Sequence, residues 1–214
     1  MYEKFYEALE HELGVVPVVV IDEVCDAAPL ADSLMGAGMR SAEVTFRTDA
    51  AGASIRAMLD DHPDMEVGAG TVLTVEQARR ALDAGARFIV SPGYSEGVVA
   101  YCIERDVPVI PGTLTPSEIT KAVGRGLEVT KFFPAAAYGG LATMRALCGP
   151  FVGHRFMPTG GVNAANLRDY LSAPEVIACG GTWMVKPALF AGGDFSEVAR
   201  LASETMDVVH ELRG

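Results

Sequence analysis

The sequence predicts a small (β/α)8 barrel, and three observations carry that expectation. Short β-branched runs alternate with amphipathic helical stretches along the whole chain. The runs start about 20–26 residues apart, room for one strand, one helix and two loops. Eight such runs fit within 214 residues, and strict alternation calls for parallel strands joined by right-handed crossovers. The competing fold is an open doubly wound sheet, which favours a glycine-rich first turn. Here Ile21-Asp22-Glu23 follows the first run, with no glycine.

The runs begin near Val15 (VVPVVVI), Ser41 (SAEVTF), Glu66 (EVGAG), Arg87 (RFIVS), Val107 (VPVI), Glu128 (EVTKFF), His154 (HRFMPTG) and Glu175 (EVIACG). Between them, residues 27–37, 50–59, 75–84, 96–104, 116–123, 141–147 and 164–171 read as helices. Thr115-Pro116-Ser117-Glu118 is a helix start with Thr at the N-cap, Pro at N1 and Glu at N3. Gly38, Gly85 and Gly126 stop helices just before the next strand. An extra helix over 2–13 is expected to cap the barrel's lower mouth, and the amphipathic segment 196–212 to pack on the barrel wall. One domain is expected over residues 1–214.

Composition excludes several classes. Apolar residues make up 50% of the chain, too many for disorder. Seventeen Lys and Arg against 28 Asp and Glu give a net charge of −11, which excludes a broad nucleic-acid or anionic-membrane surface. Cys25, Cys102, Cys148 and Cys179 form no CxxC pair, so neither a zinc knuckle nor a disulfide framework is expected, and reduced thiols in a cytoplasm are. The N-terminus lacks the apolar core of a signal peptide, and residues 15–21 are too few to span a bilayer.

In such a barrel, function sits at the C-terminal ends of the strands. Of four lysines, only Lys131 stands inside a strand, late in Glu128-Val129-Thr130-Lys131-Phe132-Phe133. An amine there is sheltered from water, and in its neutral form it attacks carbonyl carbon. In Ala42-Glu43-Val44-Thr45-Phe46-Arg47, alternation puts Glu43, Thr45 and Arg47 on one face and the apolar residues on the other. The polar face suits the barrel interior. An inward Glu and an inward Lys supply a base and an amine to one cavity, the minimum equipment for imine chemistry. The last two strands end in glycine pairs, Thr159-Gly160-Gly161 and Gly180-Gly181-Thr182. Glycine turns leading into helix N-termini bind phosphate, and the loops after strands 7 and 8 are its usual place in this barrel.

The motifs AEVTFRT, VGAGTVL, FIVSPG, IPGTLTPSE, TKFFPA, FMPTGGVN and CGGTWMV, spanning about Val15 to Val185, closely resemble the 2-keto-3-deoxy-6-phosphogluconate (KDPG) and 4-hydroxy-2-oxoglutarate (KHG) aldolase family. The resemblance implies a cofactor-free, class I lyase acting on keto-deoxy sugar acid phosphates and releasing pyruvate. It implies that Lys131 forms the Schiff base and that Glu43 shuttles protons. By the same likeness Arg47 and Thr71 hold the pyruvyl carboxylate, and Phe133 and Pro92 line the site. Thr159, Gly160, Gly161, Gly180, Gly181 and Thr182 surround the distal, phosphorylated end. A homotrimer is also implied. Two departures bear on the aldehyde partner: Val20 stands where some relatives carry Arg, and the fifth-strand loop reads Gly112-Thr113-Leu114-Thr115, where Ser or Val often stands. Gluconate-type and galactonate-type substrates both remain open.

Two other classes compete. A metal-dependent aldolase or decarboxylase on this barrel needs clustered ligands, and His11, His62, His154 and His210 are scattered, with only His154 near a strand. A non-enzymatic sugar-phosphate-binding barrel would keep the glycine pairs but have no use for the Lys–Glu pair.

Overall fold

A computed structural model describes residues 2–214; Met1 lies outside the described residues. Eight parallel strands are present: β1 (Val15–Val19), β2 (Ser41–Thr45), β3 (Glu66–Gly70), β4 (Ile89–Val90), β5 (Val109–Ile110), β6 (Val129–Phe132), β7 (Arg155–Pro158) and β8 (Cys179–Gly181). Helices α2 (Ala27–Gly36), α3 (Ala51–Asp61), α4 (Val75–Asp83), α5 (Glu96–Ile103), α6 (Pro116–Gly124), α7 (Gly140–Cys148) and α8 (Leu167–Leu171) connect them. A short α1 (Glu3–Glu7) precedes the first strand and α9 (Ser196–Arg213) follows the last.

Continuous ladders run in the order β5-β4-β3-β2-β1-β8, and β6 pairs with β7. Two seams close the ring. At the β5–β6 seam a single bridge joins Gly112 to Lys131, and at the β7–β8 seam bridges join Phe156 to Val176 and Thr159 to Gly180. The barrel is closed, as predicted, although its ladder is uneven.

Local signals act where they are read. Thr115 and Glu118 form the expected capping box ahead of α6, with the Thr115 N–H donating to Glu118 Oε2 at 2.9 Å. The N–H groups of Gly38, Gly85 and Gly126 close the ends of α2, α4 and α6. The 2–13 segment differs from the single helix expected: after α1, residues Ala8–Leu13 wind as a π-helix, ending with Gly14 N–H on Leu9 O. Its buried residues Tyr6, Leu9 and Leu13 pack with Val16, Phe88, Ile110, Val129 and Met157. This is the barrel interior, so the segment caps the lower mouth. A larger apolar cluster lies between the strands and the outer helices. Val198, Ala202, Met206 and Val209 of α9 are buried in it, against α2 and α8.

Candidate active site

Alternation along β2 assigns the faces. Ala42 and Val44 join the outer cluster, and Glu43 turns inward, with none of its surface exposed. On β6, Val129 belongs to the interior and Phe132 to the outer layer, so Lys131 also points inward. It is 4% exposed. The Lys131 Nζ donates to Glu43 Oε1 at 3.1 Å, with Oε2 at 3.5 Å. The Phe133 ring centroid lies 5.3 Å from the same nitrogen, within cation–π range.

Gly70 makes room for the carboxylate. A Cβ there would stand 2.0 Å from Glu43 Oε1, so any larger residue would displace the acid. Thr71, the next residue, is held in the left-handed region at φ 57, a strained conformation for a β-branched side chain and of the kind found at functional sites.

The pair opens into a cavity of about 290 Å³ at the C-terminal ends of the strands. Every site residue named from sequence lines it: Glu43, Arg47, Thr71, Pro92, Lys131, Phe133, Thr159, Gly160, Gly161, Gly180, Gly181 and Thr182. Arg47, exposed at the rim, makes no ion pair or side-chain hydrogen bond among the described residues, leaving its guanidinium free for an anion. Thr159 Oγ1 is buried without a partner among the described residues. The N–H groups of Gly161 and Thr182 form no hydrogen bond among the described residues.

Sequence reasoning missed two lining residues, Val18 and Val162. The first was available from the alternation of VVPVVVI, which places Val16 and Val18 inward. At this strand Val18 forms the wall, and Val20 falls beyond the strand end, outside the lining. The glycine turn after β7 also differs from expectation. A helix was predicted from Ala164, but α8 begins only at Leu167. Asn163 Oδ1 accepts the Ala165 N–H at 2.9 Å and Asn166 Oδ1 accepts the Asn163 N–H at 2.8 Å. These side-chain turns keep the segment out of the helix, so any anion here meets turn N–H groups rather than a helix terminus.

No histidine or cysteine lines the cavity among the described residues. Asp32, Asp61 and His62 bring three possible metal-ligand atoms together, but on α2 and the end of α3, away from the cavity. No helix among the described residues is long and apolar enough to cross a membrane.

A closed parallel barrel with a buried amine–carboxylate contact in its C-terminal mouth defines a class: (β/α)8-barrel enzymes equipped for chemistry on carbonyl carbon. Comparison with known proteins narrows the class. Residues 7–201 match the KDPG and KHG aldolase family, and the chain belongs to it. The 2-dehydro-3-deoxy-phosphogluconate aldolase of Treponema pallidum (strain Nichols) is 49% identical over 204 residues, covering 95% of this chain and 97% of that one. The KDPG aldolase of Legionella pneumophila, solved with pyruvate captured at low pH as a covalent carbinolamine intermediate, superposes with a TM-score of 0.89 at 37% identity, over 94% of this chain and 97% of that one. The Zymomonas mobilis ZM4 enzyme, solved with 3-phosphoglycerate, gives a TM-score of 0.88 at 33% identity, over 96% and 95% of the two chains.

Proposed function

We propose that this chain is a class I, Schiff-base aldolase that cleaves 2-keto-3-deoxy-6-phosphogluconate to pyruvate and glyceraldehyde 3-phosphate, and 4-hydroxy-2-oxoglutarate to pyruvate and glyoxylate. One observation carries the reading: the amine of Lys131 lies 3.1 Å from the carboxylate of Glu43 within a ligand-sized cavity.

Lys131 passes a proton to Glu43 across their contact, and the neutral amine attacks the C2 ketone to give a carbinolamine; Glu43 returns the proton to the departing hydroxyl, and loss of water leaves a protonated imine. Glu43 takes the proton of the C4 hydroxyl. The C3–C4 electron pair flows into the imine, releasing the aldehyde and leaving an enamine. Protonation at C3 by Glu43, through water, and hydrolysis of the imine release pyruvate and restore the amine. Arg47 holds the carboxylate in a two-point contact that a Lys could not copy, with Thr71 beside it. Phe133 and Pro92 wall the reacting carbons. Thr159, Gly160, Gly161, Gly180, Gly181 and Thr182 receive the distal phosphate through hydroxyl and N–H groups. The unpartnered Thr159 hydroxyl and the free N–H groups of Gly161 and Thr182 support that assignment. The captured carbinolamine of the Legionella relative and the 3-phosphoglycerate bound by the Zymomonas relative support the two ends of the substrate.

In this reading residues 1–214 act as one barrel unit, in the cytoplasm, where the four free cysteines suit a reducing compartment. The assembly is a homotrimer, as the family likeness implies. The decisive test adds pyruvate and borohydride to purified protein and maps the adduct. A stable adduct on Lys131 is expected, together with pyruvate release from 2-keto-3-deoxy-6-phosphogluconate. Lys131→Arg, which keeps a cation beside Glu43, is expected to abolish both. An active Lys131→Arg protein would end the proposal.

A further inference from the structure

The β5–β6 seam falls at the residue that bears the amine. It has one bridge, with Lys131 N–H donating to Pro111 O and Thr113 N–H donating to Lys131 O, each at 2.9 Å. Behind it lies a chain of polar side chains unrelated to the cavity. The Thr113 and Thr130 hydroxyls are 2.7 Å apart, and the Thr130 hydroxyl is 2.9 Å from His154 Nε2. All three residues are buried, at 2%, 0% and 5% exposure.

Thr130 shares the outer face of β6 with Phe132, opposite Lys131, and its ladder partner is Phe156. The chain therefore ties the loop just after β5, the middle of β6 and the residue before β7 from behind. The His154 ring packs edge-on against Phe156, with centroids 5.1 Å apart, and its Nδ1 has no partner among the described residues. Burial pushes the imidazole down to about 4, so near pH 7 it is neutral and can end a run of hydroxyls without adding a charge. Apolar residues of similar volume would fill this space without an orphaned nitrogen. Hydrogen bonds add fixed length and direction, and so set register where a ladder is thin.

We infer that Thr113, Thr130 and His154 are positioning residues that hold the backbone of Lys131 in register between β5 and β7, and so keep its amine against Glu43. The activity readout of this inference rests on the aldolase reading above. Thr130→Val removes the central hydroxyl at nearly constant shape. Its kcat for cleavage is expected to fall about tenfold, since small misplacements of a reacting group are costly. KM should stay within about twofold, because the substrate contacts lie on other residues. Thr130→Ser should recover most of the rate. Amide hydrogen exchange across residues 129–133 should speed up in Thr130→Val and slow again in Thr130→Ser. A Thr130→Val protein with wild-type kcat and exchange, or a loss that Ser does not recover, overturns the inference. If Thr130→Val does not fold, Thr113→Val breaks only the outer link and is judged by the same two measurements. A wild-type protein that forms no borohydride adduct would reject the aldolase reading, while the exchange comparison would still decide the positioning role.

Discussion

The lower and upper halves of the barrel interior are built on the same strands and solve opposite problems. On β3 both halves use one device two residues apart. Gly68 leaves the space that the Phe88 ring fills, where an added Cβ would stand 2.3 Å from the ring, and Gly70 leaves the space that the Glu43 carboxylate fills. Below, the filling is apolar, and Tyr6, Leu9 and Leu13 close it from outside the ring. Above, the filling is an ion pair, with an open cavity beyond it. Burying an amine and a carboxylate costs several kcal/mol of hydration per ion, which their attraction only partly offsets. The lower layer offsets such losses through apolar area removed from water. Stability and chemistry are thus stacked along one axis, and substitutions in the two layers should fail differently.

The sharpest contrast comes from removing the acid alone. Glu43→Gln keeps the shape and a polar partner for Lys131 but takes no proton. Turnover should fall by about 10²–10⁴, the range for general acid–base catalysis, while the borohydride adduct with pyruvate still forms. Unchanged turnover would remove Glu43 from proton transfer. In the lower layer, Phe88→Ala should reverse the pattern. It empties a fully buried ring site, which typically costs about 3–5 kcal/mol. Urea unfolding should show this loss, with KM of the folded protein near wild type. A large rise in KM at unchanged stability would break the division between the layers.

The outer face supplies a smaller, pH-dependent effect. His154 is held down to about 4 from an ordinary 6.5 by burial. The unfolded chain therefore binds a proton that the folded chain refuses between those values. Its contribution to stability is intact above about pH 6.5 and is lost as pH falls toward 4, by on the order of 3 kcal/mol. His154→Val should flatten that acid limb in urea midpoints measured from pH 7 to pH 4. An unchanged acid limb would mean that other groups carry it.

Much of this molecule is legible along the chain. The strand–helix beat foretold the ring, and alternation within AEVTFR turned Glu43 inward without reference to any neighbour, while EVTKFF placed Lys131 late in a strand without fixing its face. Thr115 to Glu118 announced a capping box that is formed as read. Where expectation failed, competing interactions lay just beyond the pattern. Helical periodicity at 164–171 suggested an early start, but the side chains of Asn163 and Asn166 hold the backbone in turns, and α8 starts late. The N-terminal helix was foreseen as a cap, but not its change of winding. The Thr113–Thr130–His154 chain was invisible, because each member is unremarkable in its own segment and acquires meaning only from partners 17 and 24 residues away.

By itself, then, the sequence determined period and, on β2, face: which residues enter strands, and that Glu43 looks inward. These are local properties of backbone geometry and side-chain alternation. The tertiary structure alone decided distance: that closing the ring brings residues 88 positions apart to 3.1 Å, that Gly70 gives the carboxylate its seat, and that the joint beside Lys131 is thin and held from behind. Those outcomes depend on strand register and ring closure, which sum contacts over the whole chain and are written in no single segment of it.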